Sequence, residues 1–259
     1  MLDLSTETPE IKMKFTPEEI DHLSDEFESA SPQEILQWAV DTFCSNMALS
    51  SSFQTHSIPL LHMVKQIHPE MRILFLETGY HFWDTLMFRE QLEQLWGLNI
   101  VDLRRDLSWN TFLQRFGKDL PETNPTLCCY IRKVQPMQIA TAGLDAWITG
   151  IRRDQTDQRA SAKILEIKRD GLIRVAPMLN WRRAEIDAYI NHYNLPKHPL
   201  PVEQYPSVGC KPCTRAVQPG EDDRAGRWAG KGKTECGLHT DLFDKKTLSS
   251  DDFQLNIGY

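Results

Sequence analysis

The chain has no apolar run of the roughly 18 residues that a bilayer-crossing helix needs, so no membrane span is predicted. Its opening stretch, MLDLSTETPEIKMKF, carries acidic side chains and lacks the apolar core of a secretory leader. Net positive charge is also missing: 29 Lys and Arg stand against 36 Asp and Glu, for a net charge of −7 and a pI near 5.6. General nucleic-acid binding needs a basic face, so it is not expected, whereas a small basic pocket for an anionic substrate is compatible with this balance. Cysteine is scarce, with six in 259 residues. That is too sparse for a disulfide framework and favours metal-binding or catalytic thiols in a cytoplasmic protein, whether single or a homo-oligomer. No internal repeat is visible.

What is present is an alternation of strands and helices. Thr16-Pro17-Glu18-Glu19 caps a helix to about Ser29, and Ser31-Pro32-Gln33-Glu34 is a capping box opening a helix through Phe43. Strands are predicted at Met47–Ser50, Arg72–Glu77, Asn99–Leu103 and Asp145–Thr149, with helices over Ser57–His68 and Trp83–Trp96 between them. This pattern predicts a parallel α/β sheet with helices on both faces. Lys163–Lys168 and Leu172–Ala176, joined by Arg169-Asp170-Gly171, read as a hairpin, and Asn180 as the cap of a helix from Trp181 to Tyr193. The expected organisation is a helical extension at 1–30, an α/β unit at 31–217, an irregular mobile segment at 218–240 and a polar tail at 241–259. The proline-rich passage PKHPLPVEQYPSVGCKPC should be irregular, ordered by packing or by a metal centre.

The cysteines are grouped. Cys128 and Cys129 are adjacent, Cys210 and Cys213 form a Cys-x-x-Cys, Cys236 stands apart beside His239, and Cys44 reads as an ordinary core thiol. Four thiolates from two distant pairs suit zinc or an iron–sulfur centre. An adjacent pair would be strained around one small ion, whereas a cuboidal cluster takes the two at separate irons, which favours the cluster. Lys133, four residues past Cys129, would lie beside that ligand after one helical turn, next to Arg132. Cys236 is a candidate nucleophile, with Gly237 permitting an unusual backbone and His239 able to lower the thiol pKa or bind an anion.

Anion-binding features complete the reading. The run Ser50-Ser51-Ser52 at a strand–helix junction offers hydroxyls and backbone amides, and Thr78-Gly79 follows the second strand at the same sheet end. Arg152, Arg153 and Arg159 follow the fourth strand, and Arg224 and Arg227 bracket Gly226; guanidinium forks match sulfate and phosphate. Arg152 and Asp154 also read as a self-satisfied ion pair.

Five stretches, LSSSF (49–53), ETGY (77–80), GIRRDQ…R (150–159), RAGRW (224–228) and KTECGLH (233–239), together resemble the assimilatory sulfonucleotide (APS/PAPS) reductases. The cysteine quartet resembles their iron–sulfur branch, usually selective for adenosine 5′-phosphosulfate, although SSSF leans toward the 3′-phospho branch and Gln54 stands where the family often has glycine. The resemblance implies an adenine nucleotide α-hydrolase-like fold and a 4Fe–4S cluster on Cys128, Cys129, Cys210 and Cys213. It further implies a nucleotide along Ser50, Ser51, Ser52, Thr78 and Gly79, and a phosphosulfate ringed by Lys133, Arg159, Arg224, Arg227 and His239. Cys236 would be the nucleophile, with thioredoxin or glutaredoxin as reductant and adenylyl sulfate as substrate. Three other readings stay open. They are the same chemistry on the 3′-phosphorylated nucleotide, a cluster-containing tRNA-thiolating enzyme, whose SGGxDS loop this chain lacks, and a zinc-stabilised interaction module.

Overall fold

The structure, a computed structural model, describes residues 14–104 and 108–245. Its centre is a six-stranded sheet in the order β3-β2-β1-β4-β6-β5. The strands are β1 (Met47–Ser50), β2 (Arg72–Leu76), β3 (Asn99–Leu103), β4 (Ala146–Thr149), β5 (Leu165–Ile167) and β6 (Ile173–Val175). All pairings are parallel except β5 with β6, the antiparallel hairpin expected from the sequence.

The pleat divides the strand side chains between two cores. Met47, Leu49, Ile73, Phe75, Ala146 and Ile148 face one layer, while the intervening Ala48, Leu74 and Trp147 face the other. Period-two alternation with both faces apolar is what a sheet covered on each side requires. The first layer is closed by α1 (Pro17–Glu26), α2 (Pro32–Phe43), α3 (Ile58–Ile67), α4 (Trp83–Trp96) and, later in the chain, α10 (Arg183–His192). Thr16 with Glu19, and Ser31 with Glu34, form the reciprocal capping boxes that start α1 and α2.

The second layer comes from a region for which no helices were predicted. It contains α5 (Trp109–Phe116), α6 (Leu120–Thr123), α7 (Pro125–Cys129), a π-helical turn at Tyr130–Val134 and α8 (Gln135–Thr141). A short α9 (Asp157–Ala160) follows β4, and α11 (Asp241–Asp244) ends the described chain. The stretch read as a polar tail therefore begins with a packed turn. Phe243 is fully buried, its ring 5.0 Å from that of Trp147, and its carbonyl accepts from Gln138 Nε2 at 2.7 Å.

Two local expectations are corrected. Cys44 is exposed, because α2 ends there in a positive-φ backbone (φ 50°) that turns it outward just after the buried Phe43. The helix expected from Trp181 starts at Arg183: Glu185 accepts from the Arg182 backbone at 2.9 Å, while the Asn180 amide instead donates to Glu28. The proline-rich passage is held by packing and hydrogen bonds. His198 Nε2 pairs with Thr85 Oγ1 at 2.9 Å, and the Val208 backbone donates to Gln54 Oε1 at 2.9 Å.

Phe243→Ala should remove about 3–5 kcal/mol of stability, the cost of an emptied aromatic site, and lower Tm by roughly 10 °C. Scanning calorimetry checks this, and a shift below about 2 °C would place Phe243 outside the cooperative core.

Candidate active site

The chain runs from β1 outward to β2 and β3, then returns to place β4 on the other side of β1, so the sheet has its topological switch between β1 and β4. Open α/β sheets bind ligands at such a point, beyond the carboxyl ends of the strands. A cleft of about 300 Å³ lies there, lined by Ser50–Ser52 after β1, Thr78 after β2 and Thr149–Arg152 after β4.

The serine loop is tied down internally. Trp147 Nε1 donates to Ser50 Oγ at 2.8 Å, the Phe53 backbone donates to Ser51 Oγ at 3.1 Å, and Gln54 Nε2 donates to Ser52 Oγ at 3.0 Å. Phe53 holds a left-handed backbone (φ 53°) with its ring fully buried, a strained turn fixed by core packing. Gln54 joins this loop to Val208, so its side chain closes one wall of the cleft. Thr78 reaches the cleft, whereas Gly79 turns away with φ +75° against Trp109, whose ring a Cβ there would meet at 3.0 Å.

Behind the cleft, Cys128, Cys129, Cys210 and Cys213 line one small cavity together with Thr78, Tyr80, Lys133 and Trp228. The four are buried. Burial raises the Cys128, Cys129 (to about 11) and Cys213 thiols, so without a metal they hold their protons. Among the described residues, no three Cys, His, Asp or Glu side chains stand at the spacing of a single metal ion. The cavity also carries donors without acceptors: Tyr80 Oη, Trp228 Nε1, and Arg132 Nε and Nη2 are buried and unpartnered among the described residues. Tyr80 is pushed up to about 12, first by burial, so it keeps its O–H. Thr78 Oγ1 lies 3.4 Å from Cys210 Sγ, and Lys231 Nζ lies 4.0 Å from Cys213 Sγ. Four thiols, unused N–H and O–H donors and nearby cations fit a thiolate-ligated cluster, whose sulfurs accept hydrogen bonds and whose ligand set is anionic.

Lys133 stands where this cavity meets the cleft and lines both. Burial works against its charge, while negative charge on the sulfurs of Cys210, Cys129 and Cys236 around it raises it above the ordinary lysine value, a support that is absent while those thiols are protonated. The π turn supplies this placement, an irregularity common at functional sites.

The Cys236 segment folds over the opening. Trp228 is buried and its backbone donates to the Cys213 carbonyl at 3.0 Å. Gly226 packs against the backbone so closely that a Cβ would sit 2.2 Å from the Arg215 carbonyl oxygen. Arg227 donates to Val208 O at 3.0 Å and to Ser207 Oγ at 3.2 Å, and passes over Gly209, where a Cβ would lie 2.4 Å from its Nη2. Arg224 donates to Thr234 O at 3.1 Å; burial and the neighbouring Arg227 and Arg159 lower it to about 10, which leaves it charged at neutral pH. Cys236 lines the cleft with both arginines and Lys133. His239 stacks on Trp147 at 5.4 Å; burial, then Arg159, Arg174, Lys168 and Arg224, hold it well below its usual pKa, so it presents a neutral imidazole.

The structure thus brings Cys236, Lys133, His239, Ser50, Ser51, Ser52, Thr78, Arg159, Arg224 and Arg227 to one cleft, with Gly79 outside it. Arg159 arrives already engaged by Glu235. Arg152 Nε pairs with Asp154 at 2.9 Å, but its buried Nη1 has no hydrogen-bond partner among the described residues, so the pair is not self-satisfied; Arg153 pairs with Glu28 at 2.6 Å. Sequence reasoning missed His56, which lines the cleft with Nε2 unpartnered among the described residues and is lowered to about 4, chiefly by burial. It also missed Lys231 and Glu235, which no periodicity distinguishes from surface charges; only the position of Glu235 beside Cys236 could have drawn notice.

Sequence and fold both have known relatives. Residues 46–216 match the phosphoadenosine phosphosulfate reductase domain, and the chain belongs to that family of oxidoreductases. The adenosine 5′-phosphosulfate reductase of Rhodococcus opacus is 40% identical over 221 residues, covering 82% of this chain and 90% of its own. That of Streptomyces coelicolor is 37% identical over 230 residues, covering 86% and 96%. The crystal structure of phosphoadenylyl-sulfate (PAPS) reductase from Candida auris, in a phosphate complex, superposes with a TM-score of 0.68 at 28% identity, covering 77% of this chain and 97% of that one.

Gly209→Ala should push the Arg227 guanidinium aside and weaken sulfate binding by about tenfold, the equivalent of one charge-assisted hydrogen bond. Calorimetric titration with sulfate reads this, and an unchanged affinity would show that Arg227 does not face the anion.

Proposed function

We propose that this protein reduces adenosine 5′-phosphosulfate to sulfite and AMP in assimilatory sulfate reduction, through an S-sulfocysteine on Cys236. The observation that carries the reading is that the Cys236 side chain shares one cleft with Lys133, Arg224 and Arg227, at the nucleotide-binding edge of the sheet. The names of the relatives at 37–40% identity support the 5′-phosphosulfate as substrate.

The Cys236 thiolate attacks the sulfur of the phosphosulfate; an S–S bond forms, the bond from sulfur to the bridging oxygen breaks, and AMP leaves. Lys133, Arg224 and Arg227 offset the charge on the two anionic groups, which otherwise repel a thiolate. Neutral His239 donates an N–H to the anion without adding to the positive field. The adenosine lies along the Ser51–Ser52 loop and Thr78, with His56 and Gln54 at the same wall. A thiolate of thioredoxin or glutaredoxin then attacks Cys236 Sγ and displaces sulfite, and its second thiol resolves the mixed disulfide, returning Cys236 and leaving the carrier oxidised. Cys128, Cys129, Cys210 and Cys213 would hold a 4Fe–4S cluster, which when bound would supply polarising charge near Lys133 rather than electrons in net turnover. The segment carrying Cys236 swings outward to meet the carrier.

One observation favours a second substrate, the 3′-phosphorylated nucleotide: the structural relative from Candida auris reduces that form by name. The ratio of kcat/KM for the two nucleotides decides between them.

Cys236→Ser should bind nucleotide normally and form no sulfite. In the unsubstituted protein, labelled nucleotide without reductant should leave a sulfo adduct on Cys236, read by peptide mass spectrometry; its absence would overturn the mechanism. Lys133→Ala should lower kcat by about a hundredfold, near 3 kcal/mol of transition-state stabilisation. Iron and acid-labile sulfide should both be present and both be lost in Cys210→Ser, whereas zinc without sulfide would overturn the cluster assignment.

A further inference from the structure

Between Trp228 and Thr240 the chain that carries Cys236 has little to hold it. Among the described residues, the backbone of residues 234–236 lies outside any helix, strand or turn and makes no backbone–backbone hydrogen bond. One side is fixed by packing: Gly237, at φ +92°, lies so close to Leu242 and Val134 that a Cβ would meet them at 2.9 and 3.3 Å, and Leu238 is buried. The other side is fixed by charge. Arg159 Nε donates to Glu235 Oε1 at 2.8 Å and Arg159 Nη2 to Glu235 Oε2 at 2.7 Å, a bidentate fork. Thr156 Oγ1 adds a third bond to Glu235 Oε1 at 2.9 Å, and Arg224 Nη2 stands 3.7 Å from the same oxygen.

Both side chains are withdrawn from water, at 10% and 3% exposure. Arg159 rises from α9, just beyond β4, so the pair spans 76 residues of sequence and ties the segment to the sheet edge. Gln155 accepts from Arg159 Nη1, which fixes the guanidinium plane. The Nε–Nη2 edge, the one shaped to grip a carboxylate or sulfate with two parallel bonds, is thereby closed to any ligand in the cleft.

We infer that Glu235 is the positioning residue for the Cys236 thiol and that Arg159 is its anchor rather than a contact of the substrate anion. The carboxylate adjoins the nucleophile in sequence, so the fork sets the thiol's approach to the cleft from one side while Gly237 sets it from the other. Lys133, Arg224 and Arg227 remain to meet the anion. Breaking the fork frees the thiol for an incoming dithiol. This assignment of roles rests on the reductase reading, but the pin itself does not.

The test is alkylation of Cys236 by iodoacetamide in the intact, cluster-replete protein, quantified by peptide mass spectrometry, with AMP affinity measured by calorimetry. Glu235→Gln and Arg159→Gln should each raise the alkylation rate by about tenfold, and the double variant no further than either alone, because the two residues act as one unit. AMP affinity should stay within about twofold, and turnover should fall in kcat with KM little changed. Should Glu235→Gln fail to fold, Arg159→Lys probes the same fork from the other side, keeping the charge and losing the bidentate geometry. Unchanged alkylation in these variants overturns the pin. Loss of AMP affinity in Arg159→Gln but not in Glu235→Gln returns Arg159 to the substrate. Faster alkylation in a protein that reduces neither sulfonucleotide would leave the pin standing and remove the reductase reading instead.

Discussion

The architecture of the site depends on one ammonium group. Lys133 sits at the boundary of two cavities, with the sulfurs of Cys129 and Cys210 on one side and that of Cys236 on the other. A cation withdrawn from water is stable only beside compensating negative charge, and the groups able to supply it here are thiols from three separated parts of the chain. The buried thiols are in turn high in pKa unless a metal takes their protons. Burial thus works against charge on the lysine and on these thiols alike, and each lowers that cost for the other only when both are charged. The proposed cluster and the proposed sulfo transfer would share a single electrostatic unit.

That unit is assembled at a sheet end that three strands define. β1, β2 and β4 end at the cleft, and the π turn after Cys129 rotates Lys133 toward it. The Arg224–Trp228 segment is then laid across the Cys210–Cys213 turn at distances that only glycine allows, at Gly209 and Gly226. Gly209 is crossed by the Arg227 guanidinium, while Gly226 adjoins an antiparallel bridge of Thr214 with Arg227 in which the Arg215 backbone donates to the Gly226 carbonyl at 3.0 Å. Arg227 over Gly209 and Trp228 against Cys213 make the cover of the cysteine-lined cavity and the wall of the cleft the same piece of chain.

The strands and the helices of the first layer were legible because their signals are local. Capping boxes at Thr16 and Ser31, and short apolar runs at Met47, Arg72 and Ala146, need only neighbours in the chain. Helix α5 carries a local signal that went unread, with Trp109, Phe112, Leu113 and Phe116 on one face after the Ser108 cap, whereas in α6 to α8 Pro121, Pro125 and a π turn interrupt the 3.6-residue period. Cys44 misled for a related reason, since its apolar context ends one residue earlier, at a backbone reversal.

By itself the sequence determined the chemistry available: which thiols are paired, which stands alone, and that arginines and a serine run accompany them. Residue type sets those capacities before any folding. Only the tertiary structure decided how they are shared out. It turned Gly79 away from the cleft, committed Arg152 to Asp154 and Arg153 to Glu28, and gave Arg159 to Glu235. The physical reason is competition. A guanidinium is captured by whichever carboxylate folding brings within reach, and for Arg159 and Glu235 that proximity spans 76 residues that no local pattern encodes.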